Sequence, residues 1–241
     1  MRIFTIPNAI TSMNLLCGIL GVMAAVYGAP GTAFLFMLGA AVFDFFDGLS
    51  ARLLHSVSPI GKELDSLSDM VSFGVLPALL LVKCMENGHG AGWLCLLPLF
   101  LAVMSAYRLA KFNLDERQAT EFIGLPTPAA ALVAGSFAVC AEARPESLLG
   151  QAAATPWFLP LFSIALGLLL VSEIPMFSMK VAKGHKLLDT RRIVFFCLAA
   201  CALLWALFLQ RDGALALLLI FGLYIVENIA IFGLSRFQKN R

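Results

Sequence analysis

"DFFDGLSARLLHSVSPIGKELDSLSD", residues 44–69, places four aspartates among residues that otherwise suit lipid-facing helices. Asp44 and Asp47 are three apart, and Asp65 and Asp69 are four apart. Both spacings put a pair on one face of an α-helix. Gly61, Asp65, Ser68, Asp69 and Ser72 recur at the same period, forming one polar stripe on a helix that turns apolar afterwards. Pro59 breaks the short connection between the two helices, so the acidic faces can turn toward each other.

The surroundings of this stretch are those of a membrane protein. The chain of 241 residues is 60% hydrophobic and 13% charged, with a mean hydropathy of +0.89. A soluble domain is ~45–50% apolar and ~25% charged. A net charge of +2 gives no footing for a nucleic-acid partner. A spanning helix needs ~20 mostly apolar residues. Runs of that kind fall at about 8–28, 32–54, 62–85, 91–112, 125–143, 155–176, 191–210 and 213–235. The expected fold is an all-α polytopic membrane helix bundle of about eight transmembrane helices, one integral membrane domain over 1–241. The first run resembles a signal peptide in composition. The further spans downstream and the helix start at Pro7–Asn8 assign it as a first transmembrane helix. The fifth run is rich in small residues and is expected inside the bundle.

Lys and Arg set the orientation. With eight spans and both termini cytoplasmic, only Lys83, Arg144 and Arg211 of the 17 basic residues fall outside. That asymmetry is the positive-inside pattern of a cytoplasmic-membrane protein. It puts the loop between the two acidic helices on the cytoplasmic side. The six cysteines lie in or beside apolar runs and form no CxxC pair, so they are expected to pack as small hydrophobes.

An ionised Asp deep in a spanning helix costs ~2.5–3.5 kcal/mol. Four of them need neutralising, and Arg52 and Lys62 are the only cations in the segment. Bound divalent cations meet that need, and all-carboxylate ligation favours Mg²⁺, Mn²⁺ or Ca²⁺ over zinc. Two ions bridged by Asp44, Asp47, Asp65 and Asp69 would suit phosphoryl chemistry on a diphosphate. Gly48 and Ala51, one turn after Asp44 and Asp47, would let a substrate approach the helix backbone. Arg52 ends the stripe and suits a phosphate. An ion pathway or proton relay is the other use of intramembrane acids. It wants acids spread through the membrane depth, whereas these cluster at one side.

The pattern Asp44-x-x-Asp47-Gly48-x-x-Ala51-Arg52, eight residues, Gly61-x-x-x-Asp65-x-x-x-Asp69 resembles the signature of the CDP-alcohol phosphotransferases at every fixed position. That resemblance implies displacement of CMP from a CDP-linked donor by an alcohol, with divalent metal. It implies Asp44, Asp47, Asp65 and Asp69 as metal ligands, with Asp69 also the general base. Gly48, Ala51, Arg52 and Gly61 would line the CDP-donor region. It further implies a six-helix catalytic core, here 1–176, commonly as a homodimer, with two additional C-terminal helices at 191–235.

Outside the signature, "IPNAITSMNLLCG" at 6–18, "SFGVLPA" at 72–78, "RLAKFN" at 108–113, "GLPTPAAA" at 124–131 and "PMFSMK" at 175–180 resemble membrane-integral bacterial and archaeal phosphatidylserine synthases. The implied substrates are CDP-diacylglycerol and L-serine. Glycerol 3-phosphate, inositol and choline enzymes share the aspartates, so the acceptor rests on these shorter pieces. Serine carries a carboxylate and wants a cation. Arg108, Lys111 and Lys180 are the candidates, and ordinary positive-inside flanking is the other reading of each. Asn8 and Thr11 either contact nucleotide or lipid phosphate or cap the first helix. Glu173 is read as interfacial.

Overall fold

The computed structural model describes residues 5–54, 56, 58–89, 92–115, 122–176, 199–201, 203 and 212–239. Helix α1 spans Ile6–Val26, with Thr5 as its cap and Pro7 in the first turn. Helix α2 spans Pro30–Leu53. Helix α3, Pro59–Asp69, is capped by Ser58, whose hydroxyl accepts from the Gly61 N–H at 3.1 Å. It continues through a π-helical turn, Met70–Val75, into α4, Leu76–His89. Pro59–Gly88 is thus one rod of 30 residues, about 45 Å long at 1.5 Å per residue. A 3₁₀ turn, Trp93–Leu99, leads into α5, Phe100–Leu114. Then come α6, Thr127–Ala143; α7, Leu148–Ala153; α8, Phe158–Val171; and α9, Gly213–Lys239.

Five of these helical stretches are long and apolar enough to cross a membrane, and α6 and α8 are shorter apolar helices. The expected bundle is therefore present. Seven of the eight expected spans coincide with described helices to within a few residues. The seventh, 191–210, lies almost wholly outside the described residues. The core gathers where α2, the 59–88 rod and α6 meet, around Met37, Phe73, Leu76, Leu80 and Phe137. Helix α6 is buried along most of its length, as its small residues foretell. Cys84, Cys95 and Cys140 are buried and Cys17 is half-buried, but Cys201 is exposed rather than packed. Cys197 lies outside the described residues.

Helix α8 ends at Val171, short of the expected 176. Beyond it Pro175–Met176 forms a two-residue antiparallel pair, β2, with β1 at Phe122–Ile123. Between β1 and α6, Gly124 takes a φ of +79°. A Cβ there would stand 2.6 Å from the Leu170 carbonyl oxygen. Gly124 N–H and Leu125 N–H donate to the Ile174 and Leu169 carbonyls at 2.9 and 3.0 Å, fastening this loop to the end of α8. Gly124→Ala is expected to lower the unfolding free energy by roughly 1–3 kcal/mol, read as a lower melting midpoint in detergent.

Candidate active site

Helix α1 lies against both α2 and α3, while α2 and α3 barely touch each other. The space left between them is the site. Ser68 Oγ reaches the Thr11 carbonyl at 3.3 Å and its own Leu64 carbonyl at 2.8 Å. Ser72 Oγ donates to the Asn14 carbonyl at 3.1 Å. The serines of the polar stripe thus dock α3 onto α1, which leaves the aspartates of the same stripe to face the gap. The π-helical turn directly after Asp69 rephases the rod, and Phe73, Leu76 and Leu80 then enter the core.

Carboxylate oxygens of Asp44, Asp47 and Asp65 lie within 4.8 Å of one another. Asp47 Oδ2 and Asp65 Oδ1 are buried with no hydrogen-bond partner among the described residues. Two successive helices that barely touch therefore converge on one point with unsatisfied acceptor oxygens. At 4.8 Å and an effective dielectric near 20, each ionised pair repels by about 3 kcal/mol. A hard divalent cation fits this donor set: oxygen ligands only, mutually repelling, and desolvated. Asp69 stands outside the three-carboxylate set. It is buried, and its Oδ1 accepts from Asn14 Nδ2 at 3.1 Å.

A cavity of about 180 Å³ opens beside the cluster. Its lining includes Asn8, Thr11, Asp47, Gly48, Ala51, Gly61 and Asp65. Asn8 and Thr11 do not cap α1: Thr5 does, accepting from the Asn8 N–H at 3.3 Å. Asn8 lies in the first turn of the helix and Thr11 in the second, and both are buried and line the cavity. A Cβ on Gly48 would meet nothing nearer than Arg52 at 3.9 Å, so the α2 backbone is bare to the cavity there. Gly61 has a different role as well, because a Cβ on it would crowd Asn8 Oδ1 at 2.9 Å. Arg52 is exposed, and its Nε donates to the Gly48 carbonyl at 2.8 Å.

The three acceptor-site candidates separate. Arg108 is buried, stacks on Phe112 at 4.6 Å and interacts electrostatically with Asp69. Lys111 pairs with Glu173 and donates to the Val171 carbonyl at 3.4 Å, tying the ends of α5 and α8 together. Lys180 lies outside the described residues. Sequence reasoning missed Pro7, Ser56, Ser58 and Lys62 in the cavity wall. Lys62 Nζ also donates to the Asn113 carbonyl at 2.9 Å, and Asn113 Nδ2 to Ser66 Oγ at 2.8 Å. It missed Asn14 too, whose only signal was a polar residue deep in an apolar helix.

A family model described as CDP-alcohol phosphatidyltransferase matches residues 4–224. The chain belongs to that family. This CDP-alcohol phosphatidyltransferase is 39% identical over 128 residues to the CDP-diacylglycerol–serine O-phosphatidyltransferase of Bacillus subtilis, covering 53% of this chain and 71% of that protein. It is 34% identical over 180 residues to the protein of the same name from Mycobacterium tuberculosis H37Rv, covering 71% of this chain and 60% of that one. Against the Helicobacter pylori J99 protein of the same name the identity is 30% over 245 residues, 99% of this chain and 97% of that protein. Three of the four signature aspartates of this family member, Asp44, Asp47 and Asp65, are brought together by the fold, and Asp47 and Asp65 line the cavity.

Proposed function

We propose that the chain transfers the phosphatidyl group of CDP-diacylglycerol to the hydroxyl of L-serine, giving phosphatidylserine and CMP. The observation that carries the reaction class is the convergence of Asp44, Asp47 and Asp65 from two helices, with Asp47 and Asp65 in the cavity wall and Asp69 one turn after Asp65 on α3. The three relatives, each a serine O-phosphatidyltransferase by name, supply the serine acceptor.

Two divalent cations, Mg²⁺ or Mn²⁺, held by Asp44, Asp47, Asp65 and Asp69, supply positive charge to the diphosphate and to the departing CMP when bound. The cavity walled by Asn8, Thr11, Gly48, Ala51 and Gly61 takes the CDP group, with Arg52 at its rim. The bare backbone at Gly48 admits the donor closely. Acyl chains extend sideways into the bilayer. Asp69 takes the proton of the serine hydroxyl while that oxygen bonds to the lipid-side phosphorus. The bond from this phosphorus to the bridging oxygen breaks, and CMP carries that oxygen away. Arg108 is a buried cation that interacts with Asp69 and fits the serine carboxylate. The positive-inside pattern supports a cytoplasmic site in the cell membrane with both termini on that side. The catalytic core is assigned to residues 1–176, and the chain works as a homodimer.

Purified protein supplied with CDP-diacylglycerol and Mg²⁺ or Mn²⁺ is expected to release CMP with L-serine. With glycerol 3-phosphate, inositol or choline, release should stay at background. Release with one of these instead of serine would discard the acceptor and keep the aspartate chemistry. No release with any alcohol, from folded and metal-loaded protein, would return the ion-pathway reading.

A further inference from the structure

We propose that Asn14 is a positioning residue for Asp69, holding one carboxylate oxygen so that the other faces the acceptor hydroxyl. The inference rests on the reading of Asp69 as the general base. Asn14 is fully buried in α1, and its Nδ2 donates to Asp69 Oδ1 at 3.1 Å. The amide's own Oδ1 is buried with no hydrogen-bond partner among the described residues. A buried acceptor left unmade costs about 1–3 kcal/mol, and leucine, with the same number of side-chain heavy atoms, would avoid that cost. Asn14 therefore sits where stability alone favours an apolar residue, and the return on that cost is the single bond its N–H makes to Asp69.

The surroundings fix the amide. Ser72 Oγ bonds the Asn14 backbone carbonyl at 3.1 Å, and Ser68 Oγ reaches the Thr11 carbonyl one turn earlier at 3.3 Å. These two bonds lock the register of α1 against the α3 rod on either side of Asp69. Gly18, one turn after Asn14, makes room for Ser72, because a Cβ there would collide with its hydroxyl. The side chain of Asn14 therefore meets Asp69 at a set height. The choice of an amide matters chemically. Arg or Lys at this position would hold the carboxylate as strongly but would bind its charge and weaken it as a base. A neutral N–H orients the group with the least loss of basicity.

The test compares Asn14→Leu and Asn14→Gln with the unaltered protein in detergent or vesicles. A misplacement of about 1 Å at a reacting group costs about 10²-fold in rate. Asn14→Leu is expected to lower kcat by about 10²-fold, with KM for CDP-diacylglycerol nearly unchanged. Its melting midpoint should be equal or higher, and its stabilisation by Mn²⁺ unaltered. Asn14→Gln, which keeps an amide N–H on a longer arm, should recover part of kcat. Undiminished kcat in Asn14→Leu would overturn the inference. So would a rate loss accompanied by an equal loss of Mn²⁺ stabilisation or a fall in melting midpoint, which would mark a merely structural role. Asp69→Asn is assayed alongside. Full activity in Asp69→Asn would remove the base itself, whereas an inactive Asp69→Asn with a fully active Asn14→Leu would remove only the role of Asn14.

Discussion

Asp69→Asn is expected to lose about 10²–10⁴-fold in kcat, the usual contribution of a positioned general base, while the protein stays folded. The substitution is nearly isosteric. An amide oxygen at that position still accepts from Asn14 Nδ2, now at 3.1 Å from Asp69 Oδ1, so the contact between α1 and the rod survives. What is lost is the capacity to take the proton of the acceptor hydroxyl. The three clustered carboxylates Asp44, Asp47 and Asp65 are all kept, so the variant should retain part of its stabilisation by divalent cation. A single-turnover assay of CMP release, paired with thermal melting with and without Mn²⁺, separates the two roles. Near-normal release would end its assignment as base. Loss of the Mn²⁺-dependent stabilisation together with activity would make Asp69 a metal ligand first.

Removal of divalent metal should have the second large effect, on both rate and stability. Three carboxylates within 4.8 Å are tolerable when a cation lies among them and repel one another when it is withdrawn. Chelation is therefore expected to bring CMP release to background and to lower the melting midpoint. At a metal concentration 100 times its Kd, linkage gives about 2.7 kcal/mol of stabilisation. Asp65→Asn should abolish that metal-dependent gain and the activity with it. Because the substitution also relieves repulsion, the metal-free variant should melt at or above the metal-free parent. A metal-free Asp65→Asn protein that melts well below the parent would mean that Asp65 serves the packing of α3 more than a cation.

The placement of the aspartates was legible beforehand because each pair is a local property. Three- and four-residue spacing puts Asp44 with Asp47, and Asp65 with Asp69, on one helical face whatever the rest of the chain does. The spans were legible for a related reason: hydropathy adds residue by residue and needs no partner. The glycine at 124 shows the limit of that reading. Its resemblance to a family piece was visible, but its left-handed φ and its fit under the Leu170 carbonyl depend on where α8 ends.

Arg108 and Lys111 make the same point. Both close one helix and both carry positive charge, so the sequence treats them alike. Three residues of rotation turn Arg108 inward toward Asp69 and let Lys111 reach Glu173 on the neighbouring helix. Asn8 and Thr11 were read equally well as caps or as cavity residues, until Thr5 proved to hold the cap.

The sequence by itself determined the membrane class, the described spans, and the sharing of a helical face by Asp44 with Asp47 and by Asp65 with Asp69, since periodicity and composition act within one helix. Tertiary structure alone decided that Asn14 meets Asp69 across 55 residues of chain, that Ser68 and Ser72 lock α1 to the rod, and that three carboxylates form one cluster with the fourth set apart. Those pairings depend on how far each helix is rotated and slid against its neighbour, a quantity fixed by packing between segments and written in no single one of them.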